Sequence, residues 1–193
     1  MSGDILKLKL VLPLPVSINN LYINQFSYNP KTRSRTPTGK RIMSAEGKKV
    51  KQQIISETKK QMKTQVWEYE LTKSTYLYLD TYIYMNRLGR DDNNIYKLLN
   101  DSLEKIVYDN DSRILTRTQK ILIDSENPRV EVELRQVDYI GIFENEELLH
   151  KFENKCMGCK RYKRNCSILS KAKEGRIQED INEKLECSKY NPQ

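Results

Sequence analysis

Two sets of residues in this chain have the types and spacing to do chemistry. The first lies in residues 90–114, R-D-D-N-N-I-Y-K-L-L-N-D-S-L-E-K-I-V-Y-D-N-D-S-R-I. Asp91 and Lys97 stand at the mouth of an amphipathic segment, and Asp109 and Asp111 follow just beyond its end. Carboxylates from both ends of one helix could converge on one divalent cation beside a lysine, a nuclease-like arrangement. Each acid also has a plainer account. Asp91 suits a helix cap, and Asp109 and Asp111 suit turn chemistry. The second set is Cys156, Cys159, Cys166 and Cys187, the only cysteines in the chain, spaced C-x2-C-x6-C-x20-C. In a reducing cytosol disulfides are not expected, so four thiolates around Zn²⁺ is the leading account. An iron–sulfur cluster uses the same number of ligands and remains an alternative. His150, the single histidine, lies outside the thiol set.

The acidic segment needs elements on both sides to hold it. From Ile95, the apolar residues Leu98, Leu99, Leu103 and Ile106 recur at i, i+3 and i+4, which predicts a helix capped by the oxygens of residues 91–94. Residues 109–112 break it, and residues 114–123 read as a strand. Upstream, residues 75–85 alternate Leu77, Leu79, Thr81, Ile83 and Met85 with Tyr76, Tyr78, Asp80, Tyr82 and Tyr84. That is a strand with an apolar face and an aromatic face, the latter expected to cover a helix or a dimer partner. It delivers the chain through Arg87 and Arg90 to Asp91, so the acidic cluster sits at a strand end.

Further out, residues 5–12 predict a strand ended by Pro13 and Pro15, and residues 15–22 a turn that packs Tyr22 onto the sheet. Residues 25–41 are polar, hold Pro30, Pro37 and Gly39, show no period, and read as a long surface loop. Ser44 caps a helix running to about Lys63, and Val130, Val132 and Leu134 mark a last strand after Pro128. The order of elements predicts an α/β (α+β) domain, a small mixed sheet flanked by helices. The expected division is a nuclease-like domain over 1–138, a linker over 139–152 and a cysteine-rich, zinc-binding module over 153–193.

A net charge of +8 and a pI near 9.2 favour a polyanionic partner. Between residues 29 and 63 eleven Lys or Arg face only Glu46 and Glu57. Among them Arg33, Arg35, Lys40, Arg41 and Lys48 are candidate contacts to DNA phosphates, and Arg87 and Arg90 are candidates to hold a phosphate beside the metal. A solvated helix face is the plainer account of the same charge. Lys160, Arg161, Lys163 and Arg164 lie between the cysteines, so the module is either a basic knuckle that grips DNA or a structural cap or docking tail. No apolar run approaches the roughly 18 residues of a membrane span, and the N-terminus lacks a signal-peptide pattern. A cytoplasmic protein with no membrane partner is expected.

Over roughly residues 5–137 the chain resembles the RusA family of Holliday junction resolvases. The family pattern D-x-D-N, a Lys three residues later, a helix and an acidic turn entering a strand is matched by Asp91-Asp92-Asn93-Asn94-Ile95-Tyr96-Lys97 and by Asp109-Asn110-Asp111-Ser112-Arg113-Ile114. Residues 15–22 also resemble the family's P-x-S-x-N-x-x-Y signature. The resemblance implies that Asp91 and Asp111 are metal-binding carboxylates and that Lys97 is the catalytic lysine. The second Asp of D-x-D falls at Asn93, which offers a neutral carbonyl oxygen and removes one negative charge from the site. Asp92 is a poor substitute, because neighbours in an extended segment point to opposite sides. The implied activity is a Mg²⁺- (or Mn²⁺-) dependent endodeoxyribonuclease that resolves branched DNA, the four-way junction, by paired nicks as a homodimer. Two alternatives stand beside it: a junction-binding protein weakened or inactivated by Asn93, and a nucleic-acid-binding regulator built on the cysteine module.

Overall fold

The computed structural model describes residues 7–137 and 139–193. The chain forms two compact units, Met1–Val137 and Asp138–Gln193. The first holds β1 (Lys7–Pro13), α1 (Ile18–Leu21), β2 (Tyr22–Asn29), β3 (Ser34–Met43), α2 (Ala45–Met62), β4 (Leu77–Met85), α3 (Tyr96–Leu103), β5 (Ile114–Ile123) and β6 (Arg129–Gln136). The expected start of β1 at residues 5 and 6 lies outside the described residues.

Four strands form a mixed sheet in the order β1-β6-β4-β5. Here β4 runs parallel to β5 and antiparallel to β6, which in turn is antiparallel to β1. Parallel neighbours need a crossover, and α3 supplies it. The segment that enters α3 therefore begins at the carboxyl end of β4. Leu8, Leu10 and Leu12, with Leu77, Leu79, Ile83 and Met85 and with Val130, Val132 and Leu134, are buried in one core with Leu98, Leu99 and Leu103 of α3 and Ile54 of α2. Each such side chain contributes about 1.5–3 kcal/mol by leaving water. The free edge of β1 is closed by side chains of α2 and the residues after it. The Gln61 amide donates to Val11 O (2.7 Å) and accepts from Val11 N–H (2.9 Å), and Gln65 does the same for Lys9. A capped edge cannot recruit a foreign strand.

Several expectations are corrected. Residues 25–41 are not a loop: β2 and β3 pair as an antiparallel hairpin. Most of its residues are exposed on both faces, so no apolar alternation marks it. The hairpin reverses through Arg33 at φ 53°, with Asn29 Oδ1 accepting from Lys31 N–H (3.0 Å). On the tyrosine face of β4, arginines of the neighbouring strands stack on the rings. Arg117 stacks 3.5 Å over Tyr78, with Arg135 at 4.7 Å, and Arg129 stacks 3.5 Å over Tyr84. Between them Asp80, 7 % exposed, accepts from Arg117 (2.7 Å from both Nε and Nη2), Gln119 (2.7 Å) and Arg135 (3.3 Å). The helix from Ile95 ends at Leu103 rather than Ile106, because Lys105 turns to φ 65° and its N–H bonds Tyr108 O (2.7 Å).

The second unit contains α4 (Glu146–Met157) and α5 (Ile168–Lys173). Residues 139–152, expected to be a linker, fold within it. They supply most of α4 and the buried Phe143 and Phe152, whose rings lie 5.5 Å apart. No helix among the described residues is long and apolar enough to cross a membrane.

Candidate active site

Past the end of β4 the chain runs exposed through Arg87, Leu88, Gly89 and Arg90, with Gly89 at φ 73°. Asp91 then caps a short 3-10 turn, Asp92–Ile95, which leads into α3, and its Oδ1 accepts the Asn93 N–H at 3.0 Å. The cap uses one carboxylate oxygen and leaves lone pairs on both, so capping and metal ligation are compatible. Asp91, Arg87 and Arg90 line one open cavity of about 320 Å³ with Ser17, Asn19 and Asn20 of the N-terminal signature. The expected role of that signature is a turn that packs Tyr22 onto the sheet; next to that tyrosine, Leu21 packs where a Gly47 Cβ would stand (2.7 Å) and its carbonyl accepts Ser44 N–H (2.8 Å).

The neighbours of Asp91 divide cleanly. The Asp92 carboxylate accepts from the Thr118 hydroxyl in a chain that continues through Tyr96 OH to Thr81. That chain ties the 3-10 turn to β4 and β5, and it occupies Asp92. Asn93 is exposed, and among the described residues its side chain has no hydrogen bond.

Lys97, on the first turn of α3, donates to Asp101 Oδ1 at 2.7 Å. This bond raises the lysine's pKa against partial lowering by burial, and the charge of Asp101 and the nearby Tyr22 and Asp111 add to the rise. Lys97 therefore stays protonated within the field of Asp111. Asp101 was not singled out from sequence. The only signal was a Lys-Asp pair at i, i+4 off the apolar stripe.

The acidic turn separates its two aspartates. Asp109 is held by Lys105, whose Nζ reaches its Oδ1 (3.0 Å) and carbonyl (2.5 Å), while its own N–H donates to Thr72 (3.1 Å). The Lys105 bond lowers the Asp109 pKa. Asp111 opens a 3-10 turn, Asp111–Arg113, capped by Asn110 (2.9 Å), and its exposed carboxylate accepts no hydrogen bond among the described residues.

Lys97, Asp101 and Asp111 thus share one field, and Asp91 shares a cavity with two arginines. Among the described residues no three carboxylates, thiols or imidazoles are gathered into a finished metal cage. Mg²⁺ does not require one, since it keeps several waters and binds through one or two carboxylates plus substrate phosphate. Asp91, Asn93 and Asp111 are hard oxygen donors, exposed, and largely free of competing bonds, so their chemistry fits that ion.

Six of the candidate phosphate contacts differ from the paired cations of the sheet. Arg33, Arg35, Lys40, Lys48, Arg87 and Arg90 form no ion pair among the described residues, whereas Arg117, Arg129, Arg135, Lys7 and Lys9 on the sheet are all paired. Arg41 differs. Its guanidinium donates to Tyr22 O (3.2 Å) and sits 5.7 Å from that ring, bracing the base of the hairpin. In the second unit the four cysteines are free thiols that line one cavity of about 270 Å³.

No curated protein matches the chain. Residues 26–135, more than half of its length, match the family described as Endodeoxyribonuclease RusA. That span holds every residue of the acidic cluster and most of the hairpin, and the chain belongs to the RusA family of Holliday-junction-resolving endodeoxyribonucleases, enzymes of branched DNA that generally depend on a divalent metal.

Proposed function

We propose that this protein is a Mg²⁺-dependent endonuclease that resolves four-way DNA junctions by paired nicks, acting in the cytoplasm as a homodimer. The observation that carries the proposal is the sorting of acids around α3. Asp92 and Asp109 are committed to structural bonds, while Asp91 and Asp111 keep exposed carboxylates, Asp111 within the field of a protonated Lys97 and Asp91 in a cavity with Arg87 and Arg90. The ligands would be Asp91, Asn93 and Asp111. When bound, the divalent cation supplies Lewis-acid polarisation of the scissile phosphate and a more acidic attacking water. Lys97 contributes its ammonium to the negative charge that grows on the phosphate oxygens in the transition state. Asp101 holds that ammonium in place, and Arg87 and Arg90 fix the neighbouring phosphate. The hairpin cations and Lys48 bind the backbone of the junction arms, which gives affinity without base specificity. A symmetric junction needs two opposed nicks, and a twofold pair of subunits provides two sites.

A second possibility, favoured by Asn93, is that the protein binds junctions without cutting them. Incubating a synthetic four-way junction with Mg²⁺ or Mn²⁺ separates the two. Paired nicks from the wild type, abolished by Asp91→Asn and by Asp111→Asn with junction binding retained, are expected. Tight binding with no nicks, and nicking restored by Asn93→Asp, would replace resolution by binding alone. Junction binding lost only when the cysteines are changed would move the function to the second unit.

A further inference from the structure

We infer that the second unit is a zinc site, in which Cys156, Cys159, Cys166 and Cys187 together bind one structural Zn²⁺. The four come from separate parts of the chain: the end of α4, the turn that follows it, the approach to α5, and the stretch close to the C-terminus. All four nevertheless line the same cavity. None is in a disulfide.

The backbone around them is already tied to the cysteine positions. The two isolated bridges of the unit, Cys159 with Pro192 and Ile181 with Cys187, each include one of the four. Lys160 N–H donates to Asn191 O (2.8 Å), Gln193 N–H to Gly158 O (3.1 Å) and Asn191 N–H to the Cys159 sulfur itself (3.4 Å). Amide donors aimed at a cysteine sulfur stabilise a thiolate, the form that ligates metal. Four thiolates on Zn²⁺ leave a net charge of about −2, and Lys163, Lys173 and Lys189 line the same cavity.

The unit has little else to hold it. Its own apolar cluster rests on Phe143, Phe152 and Ala172, and the chain after α5 has no further helix or strand. Units this small commonly need a metal to fold. The sulfurs are not yet at coordination spacing, since no ready group of three ligands occurs among the described residues. Cysteine has a single side-chain torsion before its sulfur, so each of the four can re-aim its sulfur within the cavity they already line by one rotamer change. A closed four-thiolate shell has no open position for substrate, which makes the site structural. It would hold the exposed basic turn between Cys159 and Cys166.

The site is independent of the nuclease proposal and is tested on the full chain by its metal. Protein purified in reductant without added metal is expected to carry about one Zn²⁺ per chain by elemental analysis, and to release it when the thiols are titrated with a mercurial. Cys166→Ser and Cys187→Ser should each lose most of it. Because those variants could unfold the unit, a second measurement uses the wild type. Co²⁺ exchanged for Zn²⁺ should give the sulfur-to-cobalt charge-transfer and visible bands of a tetrahedral thiolate site. Metal-free protein whose four thiols all react at once with a disulfide reagent would overturn the inference. So would disulfides among the four, or a coloured protein containing iron and labile sulfide. None of these outcomes bears on junction cleavage.

Discussion

Replacing Asn93 by Asp tests the proposed active site most directly, because it adds one charge and almost no volume. Asn93 is exposed and its side chain has no partner among the described residues, so the substitution breaks no existing bond. It lies in the turn that opens α3, where a carboxylate is favoured by the free N–H groups, and the change in folding stability should stay within about 0.5 kcal/mol. A unit charge pair at about 4 Å contributes about 1 kcal/mol in water and about 4 kcal/mol at the effective dielectric of a protein surface, and a dication doubles either figure. Dehydration of the new carboxylate and its repulsion by Asp91 and Asp111 oppose the gain, and exposure keeps the net near the lower end. About 2 kcal/mol remains, which is roughly 30-fold in metal affinity. The assay is nicking of a labelled four-way junction across a Mg²⁺ titration, with a thermal melt as the folding control. The half-saturating Mg²⁺ concentration should fall by roughly that factor, with a plateau rate equal to or above the wild type. Asp92→Asn should leave the midpoint alone, since its partner is Thr118. An unchanged midpoint in Asn93→Asp with an unchanged melt would remove Asn93 from the metal site and, with it, the placement of the ion between Asp91 and Asp111.

Asp101→Asn removes the charge that raises the Lys97 pKa. Lys97 must be protonated to act, so the alkaline limb of the nicking pH profile should move to lower pH while junction binding is unchanged; a profile that falls without shifting would deny Asp101 its positioning role. Arg33→Ala with Arg35→Ala should weaken junction binding and lower the slope of log K against log salt by about 2, one for each phosphate no longer neutralised, without altering the Mg²⁺ midpoint. Asp80→Ala leaves Arg117 and Arg135 facing each other with no anion. Both arginines are partly solvated, so the cost should be about 2 kcal/mol, a fall of roughly 8 °C in the melting midpoint, with nicking at low temperature intact.

The elements whose residues alternate between core and solvent were legible in the sequence. β1, β4 and β6 carry that one-sided apolar pattern, and each stands close to where the pattern puts it. The β2–β3 hairpin is solvated on both sides, so its strand period left no mark on residue types. The end of α3 depended on Lys105 adopting a left-handed backbone, which no lysine advertises. The site divides in the same way. Asp91 and Lys97 stand at a strand end and a helix start that periodicity locates. Asp101 meets Lys97 through a local i, i+4 pair that its residue types do not mark as functional, and Asn19 and Asn20 reach the site only through tertiary packing, by way of Leu21 seated on Gly47.

A charge of +8 does not by itself say where DNA would bind, and the proposed function puts the contacts on cations that have no carboxylate partner among the described residues. On the sheet Lys7, Lys9, Arg117, Arg129 and Arg135 are neutralised locally by Asp80, Asp124, Glu131 and Glu133, and the three arginines also stack on tyrosines. A phosphate arriving there would compete with carboxylates already in place, at a cost comparable to what it could gain. Arg33, Arg35, Lys40 and Lys48, together with Arg87 and Arg90 next to Asp91, have no such partner to displace among the described residues. For them, binding a phosphate exchanges only released counterions and water, the term that dominates protein–DNA affinity. Arg87 and Arg90 line the same cavity as Asp91, so a phosphate held by them would lie beside that carboxylate. If Arg117→Ala and Arg129→Ala reduced the salt slope as much as Arg33→Ala and Arg35→Ala, that distinction would be lost, and the acidic cluster would no longer have a reason to meet the backbone it is proposed to cut.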